Sequence, residues 1–424
     1  MGQKITRREA ITRTSIALGA TLLGSPGATL GQAASTTATP PFRPNILLLI
    51  ADGWSWQGAE AIGKLGLRMP ALARLQHDGI SFENAFVAST EESRAYLRAL
   101  EKSDYVIGRG GSEGGAGALA ALIANRAAGQ PFFFQFESDG APRMPIDIDP
   151  ATVNVPPYLP DTPAVRGDIA AYRSTLERFD RDAGHLIELL DGRGELADTL
   201  VIMTGAGGWS FPRGKETLYD AGTHVPLVAM YKRTVPGGRT SKTLISSEDV
   251  RATLLDVSGR AEPTMRSLIP LMTGIGDHVR PFVLMRREQP MAAYSSRAIR
   301  TPRYLYIRNV FPNRWPAGAP AREAVTPQQI DTDIDAAFTG ISPSPTKTAM
   351  IVGRGDPAMD RLLDLATAKR PAAELYDVTA DQFQLNNLAS DPTMRAIVTR
   401  LDKQLMSELK RNGDPRQLSL CALM

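Results

Sequence analysis

Cysteine is almost missing from this chain of 424 residues. The single Cys421 lies close to the carboxyl end, which excludes an intrachain disulfide, a cysteine metal site and an internal cysteine nucleophile. Histidine is scarce too. His77, His185, His224 and His278 are the only four, and none shows the His-x-x-x-His or His-Glu spacing of a metal or acid–base pair. Long hydrophobic runs are absent, so no stretch reads as a membrane span. An excess of either charge is also missing once the amino-terminal segment is set aside. Residues 1–33 carry Lys4, Arg7, Arg8 and Arg13 against Glu9, a surplus equal to the whole chain's formal +3, so the remainder is balanced. A balanced chain gives no reason to expect a nucleic-acid partner.

What is present begins with a leader. Arg7-Arg8 precedes a weakly apolar run from Ser15 to Leu23, and Gly31-Gln32-Ala33 offers small residues at a cleavage point. This pattern reads as a twin-arginine export signal over residues 1–33, with a basic tail as the plainer alternative. Export would place the protein in the periplasm or outside the cell. A Ser/Thr/Pro linker over 34–42 follows.

The folded part opens at Arg43-Pro44-Asn45-Ile46-Leu47-Leu48-Leu49-Ile50-Ala51-Asp52-Gly53. Five aliphatic residues in a row read as a strand buried on both faces, the kind found inside parallel sheets. In such sheets ligands sit beyond the carboxyl ends of the strands. Asp52 is therefore either a metal ligand or catalytic carboxylate, or a turn cap. Pro70 opens a helix with Leu72, Leu75 and Ile80 toward the sheet and Gly79 as its stop. Further strands are expected at Thr199–Thr204 and Pro226–Met230. A helix is expected over Asp168–Leu190, and another starts at Ser246-Ser247-Glu248-Asp249 and runs to Val257. The alternation predicts an α/β fold, a mainly parallel sheet with helices on both faces, over residues 43–275. Short strands after Pro281 predict a smaller carboxy-terminal α+β subdomain and tail over 276–424. Gly108–Gly117 reads as a flexible loop, since it fits neither phosphate-binding glycine motif. Pro312–Pro345 reads as a long surface loop.

Several strings together resemble the sulfatase family of the alkaline-phosphatase superfamily. They are Arg43-Pro44-Asn45-Ile46 through Asp52, Phe82-Glu83-Asn84-Ala85-Phe86-Val87, Ser93-Arg94-Ala95, and Val155-Pro156-Pro157-Tyr158-Leu159-Pro160-Asp161-Thr162-Pro163. Phe211-Pro212-Arg213-Gly214-Lys215-Glu216-Thr217 and Leu375-Tyr376-Asp377 extend the likeness, which is nearest the sulfamidase (heparan N-sulfatase) type and covers roughly residues 42–392. It implies an alkaline-phosphatase-like fold, hydrolysis of sulfuric esters or sulfamates, a calcium ion, and a sulfated saccharide or other small sulfate ester as partner.

The residues depart from what the resemblance implies at the chemistry. The family nucleophile is a formylglycine made from cysteine or serine, and that position falls on Thr90, whose extra methyl would yield a ketone instead of the aldehyde. Calcium in the family is held by two acids after the first strand and a pair after a later one. Here the first pair is Asp52-Gly53, and Ala206 and Gly207 stand at the second, so three of four protein ligands are gone. Pro142-Arg143 replaces a Pro-His. Asp52, Arg94 and Lys215 alone keep their places. Arg94 is either an anion ligand or an ion-pair partner of Glu91 or Glu92, and Lys215 reads as solvated. The expectation is a catalytically impaired homologue with no cofactor, its calcium lost. The alternative is a sulfuric-ester or phosphodiester hydrolase in which Thr90 attacks directly. That would need a metal to lower the threonine's pKa.

Overall fold

The computed structural model describes residues 43–56, 67–89, 95–138, 147–262, 264–276, 280–289, 293–320, 325–333 and 336–421. The leader and linker lie outside the described residues, as do Thr90, Arg94, Pro142-Arg143 and His278.

Strand β1, Asn45–Ala51, is buried along nearly its whole length. It is followed by helix α1, Pro70–Asp78, whose Leu72 and Leu75 are buried, and by β2, Ile80–Phe86. Ile80, expected on the helix, is therefore the first residue of a strand; the chain turns at Gly79, where a Cβ would lie 2.3 Å from the Ala229 carbonyl oxygen. Next come α2, Ala95–Glu101, β3, Val106–Gly110, α3, Gly115–Asn125, and β4, Phe132–Glu137. The long helix α4, Pro163–Gly192, starts with Thr162 accepting the Val165 N–H and Pro163 in the first turn, as cap chemistry requires. Strands β5, Thr199–Gly205, β6, His224–Met230, and β7, Arg239–Ser246, lead to α5, Ser247–Val257, which opens on a Ser246/Asp249 capping box.

These seven strands form one sheet in the order β3-β4-β1-β5-β6-β2-β7. β6 is antiparallel to its neighbours β5 and β2, while every other adjacent pair is parallel. The side chains of β1 alternate between two cores. Leu47, Leu49 and Ala51 pack toward α1 and α4, and Ile46 and Leu48 pack with Leu97 and Leu100 of α2 and Leu254 and Leu255 of α5. Phe132, Phe133, Phe134 and Phe136 of β4 are at most 1% exposed. Each contributes roughly 1.5–3 kcal/mol of burial free energy. A second, antiparallel sheet in the order β11-β10-β9-β8 is built from β8, Val283–Gln289, β9, Tyr294–Arg300, β10, Tyr304–Asn309, and β11, Ala373–Asp377. Helix α6, Arg395–Arg411, buries Leu401, Leu405 and Leu409 against it. The α/β architecture is thus the expected one.

Two expectations are corrected. The glycine-rich stretch is an edge strand, a tight turn and a helix start. Its glycines allow close approach, since a Cβ on Gly108 would lie 2.8 Å from the Phe134 ring and one on Gly110 2.8 Å from the Gly115 Cα. Pro312–Pro345 is not simply a surface loop, because it contains the helix Pro327–Thr332 and buries Ala317, Ile330 and Phe338 in the α4-side core.

Candidate functional site

At the carboxyl end of β1 the backbone N–H of Asp52 donates to Ser138 Oγ at 3.0 Å, just beyond β4, and Ala206 N–H reaches the Ala51 carbonyl at 3.0 Å. Three parallel strand ends, β4, β1 and β5, so converge where the topology puts a ligand site. The carboxylate of Asp52 does not stand alone there. Lys215 Nζ lies 3.2 Å from its Oδ1 and 3.1 Å from its Oδ2. Lys215, a loop lysine whose side chain is 39% exposed, is thus also the ion-pair partner of Asp52, across a separation of 163 residues.

The loop that delivers Lys215 is pinned from below. Lys215 N–H donates to the Trp209 carbonyl at 2.8 Å, and Gly214 N–H to the Phe211 carbonyl at 2.9 Å. Arg213 is buried, donates to the carbonyls of Leu365 and Gln384, and lies 4.0 Å from the Tyr219 ring centroid. From the second sheet, Gln289 Nε2 donates to the Glu216 carbonyl at 2.7 Å, and Arg287 Nη1 lies 3.8 Å from Glu216 Oε2.

Beside the pair lies a cavity of about 360 Å³ between the strand ends and α5. Its lining includes Gln135, Glu137, Glu248, Arg251 and Arg287, none of which the sequence analysis singled out. Two of them carried a signal. Gln135 and Glu137 are the polar residues of an otherwise phenylalanine strand, and Gln135 Nε2 donates to Glu137 Oε2 at 3.1 Å. The three described histidines stay outside the site. His185 and His77 are exposed, with His77 Nδ1 2.7 Å from Asp78 Oδ1, and His224 is buried.

The donor set here does not fit a calcium ion, which takes about 6–8 oxygens, several of them anionic. Asp52 is already neutralised by Lys215. Gly53, Ala206, Gly207 and Gly208 contribute no side-chain oxygen. Among the described residues no group of three or more His, Cys, Asp or Glu side chains is arranged to hold a metal. Gly53 and Gly207, two of the positions that the resemblance makes metal ligands, differ in kind. Gly53 has φ +71°, and a Cβ there would lie 2.8 Å from Ser210 Oγ, whereas a Cβ on Gly207 would meet nothing within 4 Å. Gly53→Asp is therefore expected to lower the unfolding free energy by about 1–3 kcal/mol. Gly207→Asn should stay within about 0.5 kcal/mol; denaturant midpoints of the two variants check both.

The sulfatase family model matches residues 116–260. Human N-sulphoglucosamine sulphohydrolase is 27% identical over 298 residues, 64% of this chain and 53% of that protein. A solved structure in complex with its substrate D-glucosamine-2-N,6-O-disulfate superposes with a TM-score of 0.61 at 14% identity, covering 88% of this chain and 99% of that one.

The chain resembles the sulfatase family in sequence over residues 116–260 and in fold.

A phosphonate monoester hydrolase from Silicibacter pomeroyi shares the fold as well, with a TM-score of 0.62 at 16% identity over 88% of this chain and 96% of that one. The chain spans about half the length of the curated relatives it matches.

Proposed function

We propose that this sulfatase-family protein is a catalytically impaired homologue that binds a sulfated saccharide or another small sulfate ester without hydrolysing it. The observation that carries the reading is the Asp52–Lys215 pair. The acid that the family resemblance makes a metal ligand is spent on an ammonium, and the strand end opposite it offers Ala206 and Gly207 where oxygens are needed. Without a metal, a threonine hydroxyl has nothing to lower its pKa. Calcium is accordingly not part of the proposal. The saccharide partner is supported by the relatives, one an N-sulphoglucosamine sulphohydrolase and one solved with a glucosamine disulfate.

The proposal extends to export by the twin-arginine route into the periplasm or beyond, on the strength of Arg7-Arg8 and the small residues before Ala33. No helix among the described residues is long and apolar enough to cross a membrane.

The test is turnover of an aryl sulfate and an aryl phosphodiester by the full chain beside its Thr90→Ala variant. The two proteins are expected to be indistinguishable from each other and from buffer. Turnover that disappears in Thr90→Ala would establish the direct threonine hydrolase instead.

A further inference from the structure

The cavity beside the Asp52–Lys215 pair has apolar walls as well as polar ones. Leu48 and Ile50 of β1, Leu227 of β6, Ile245 of β7, and Val250 and Leu254 of α5 surround it. Its volume, about 360 Å³, falls within the range of small-molecule sites. Covering these side chains with an apolar body is favourable.

Polar side chains share the lining, and one of them stands out. Ser247, Glu248, Val250, Arg251 and Leu254 all line the cavity, at spacings that put them on one face of α5. Glu248 and Arg251 are the charged members of that face. The Arg251 Nε is buried without a hydrogen-bond partner, and its Nη2 has only the thioether sulfur of Met265 at 3.7 Å. The two other cations on the wall are engaged, Lys215 by Asp52 at 3.1 Å and Arg287 by Glu216 at 3.8 Å. Of the wall carboxylates, Glu137 accepts from Gln135. A buried guanidinium nitrogen without a partner costs free energy until an acceptor meets it.

We propose that the cavity binds an amphipathic monoanion, whose aromatic or branched aliphatic body fills the recess and whose carboxylate or sulfate meets Arg251. This goes beyond the reading of the site given above and does not rest on it, since it holds whether or not an ester is turned over.

Calorimetric titration of the full chain with naphthalene-2-carboxylate, and with the neutral naphthalene-2-carboxamide, tests it. The carboxylate should bind more tightly than the carboxamide, with a negative heat-capacity change from apolar burial. Arg251→Gln should weaken the carboxylate by about 10-fold, the loss of one charge-assisted contact, and leave the carboxamide unchanged. Arg251→Lys should recover part of the difference, and Val250→Phe, which fills the recess, should weaken both ligands. Equal affinity for the two ligands in the unmodified chain, or no binding of either, would overturn the proposal without reference to any variant. An Arg251→Gln chain that melts cooperatively and keeps full carboxylate affinity would also overturn it.

Discussion

Arg297→Ala is expected to lower the unfolding free energy by about 2–4 kcal/mol, because it removes a buried guanidinium and strands the half-buried acids it holds. Arg297 is 1% exposed on β9. Its Nη2 donates to Glu288 Oε1 at 2.7 Å on β8, its Nε to Asp414 Oδ2 at 2.7 Å beyond α6, and its Nη1 to the Ser296 carbonyl at 2.9 Å. One guanidinium so fastens the carboxyl-terminal segment to the second sheet. Burial alone would raise the Glu288 pKa, but hydrogen bonds from Arg416, Ser295 and Arg297 overcome it and bring the pKa down to about 2. A carboxyl depressed below its ordinary 4.5 contributes stability that is present above that value and is lost as pH falls from there toward 2. Denaturant midpoints of the unmodified chain, Arg297→Ala, Glu288→Gln and the double variant measure both effects. A double variant whose loss equals the sum of the singles would mean the pair is not coupled.

Acid destabilisation should also appear earlier, between pH 6.5 and 4, through His224. Its ring stacks between Trp56, at 5.1 Å, and Phe86, at 4.6 Å, and its Nε2–H donates to the Glu83 carbonyl at 2.7 Å. Burial pushes its pKa down to about 4, with the nearby Asp220 carboxylate opposing and Arg300 adding to the shift. A base whose folded-state pKa lies below its unfolded value stabilises the fold fully above the unfolded value. That contribution is lost as pH falls through 6.5 toward 4, and it amounts to about 3 kcal/mol. His224→Gln keeps a donor for Glu83 and removes the titration. Its stability should therefore be flatter than that of the unmodified chain across this window; parallel curves would place the proton elsewhere.

The fold was legible where one residue type speaks for itself. The aliphatic run of β1 cannot alternate and so had to be a strand covered on both faces, and the Ser246/Asp249 pair could announce α5 because a capping box is local chemistry. Legibility failed where a partner is distant. Nothing near Lys215 in the chain points to Asp52, and the ion pair depends on a loop held from below by Arg213 and from the second sheet by Gln289. Gly108 and Gly110 read as loop glycines because single-sequence reasoning weighs backbone freedom. Their role is instead to let the β3 backbone approach Phe134 and α3. The departures from the family's ligand pattern at Gly53, Ala206 and Gly207 are read from the sequence alone, since those side chains carry no oxygen. What the sequence did not disclose is that a Gly53 Cβ has no room beside Ser210.

The central claim is that this sulfatase architecture stands without its family's metal chemistry. The melting temperature of the full chain in millimolar calcium, against the same chain in excess chelator, tests it most directly. One cooperative transition at the same temperature in both is the predicted result. An upward shift of a few degrees in calcium would contradict the account, since a ligand at about 100 times its dissociation constant adds roughly 2.7 kcal/mol. Such a shift would mean that other oxygens complete a working metal site around Asp52.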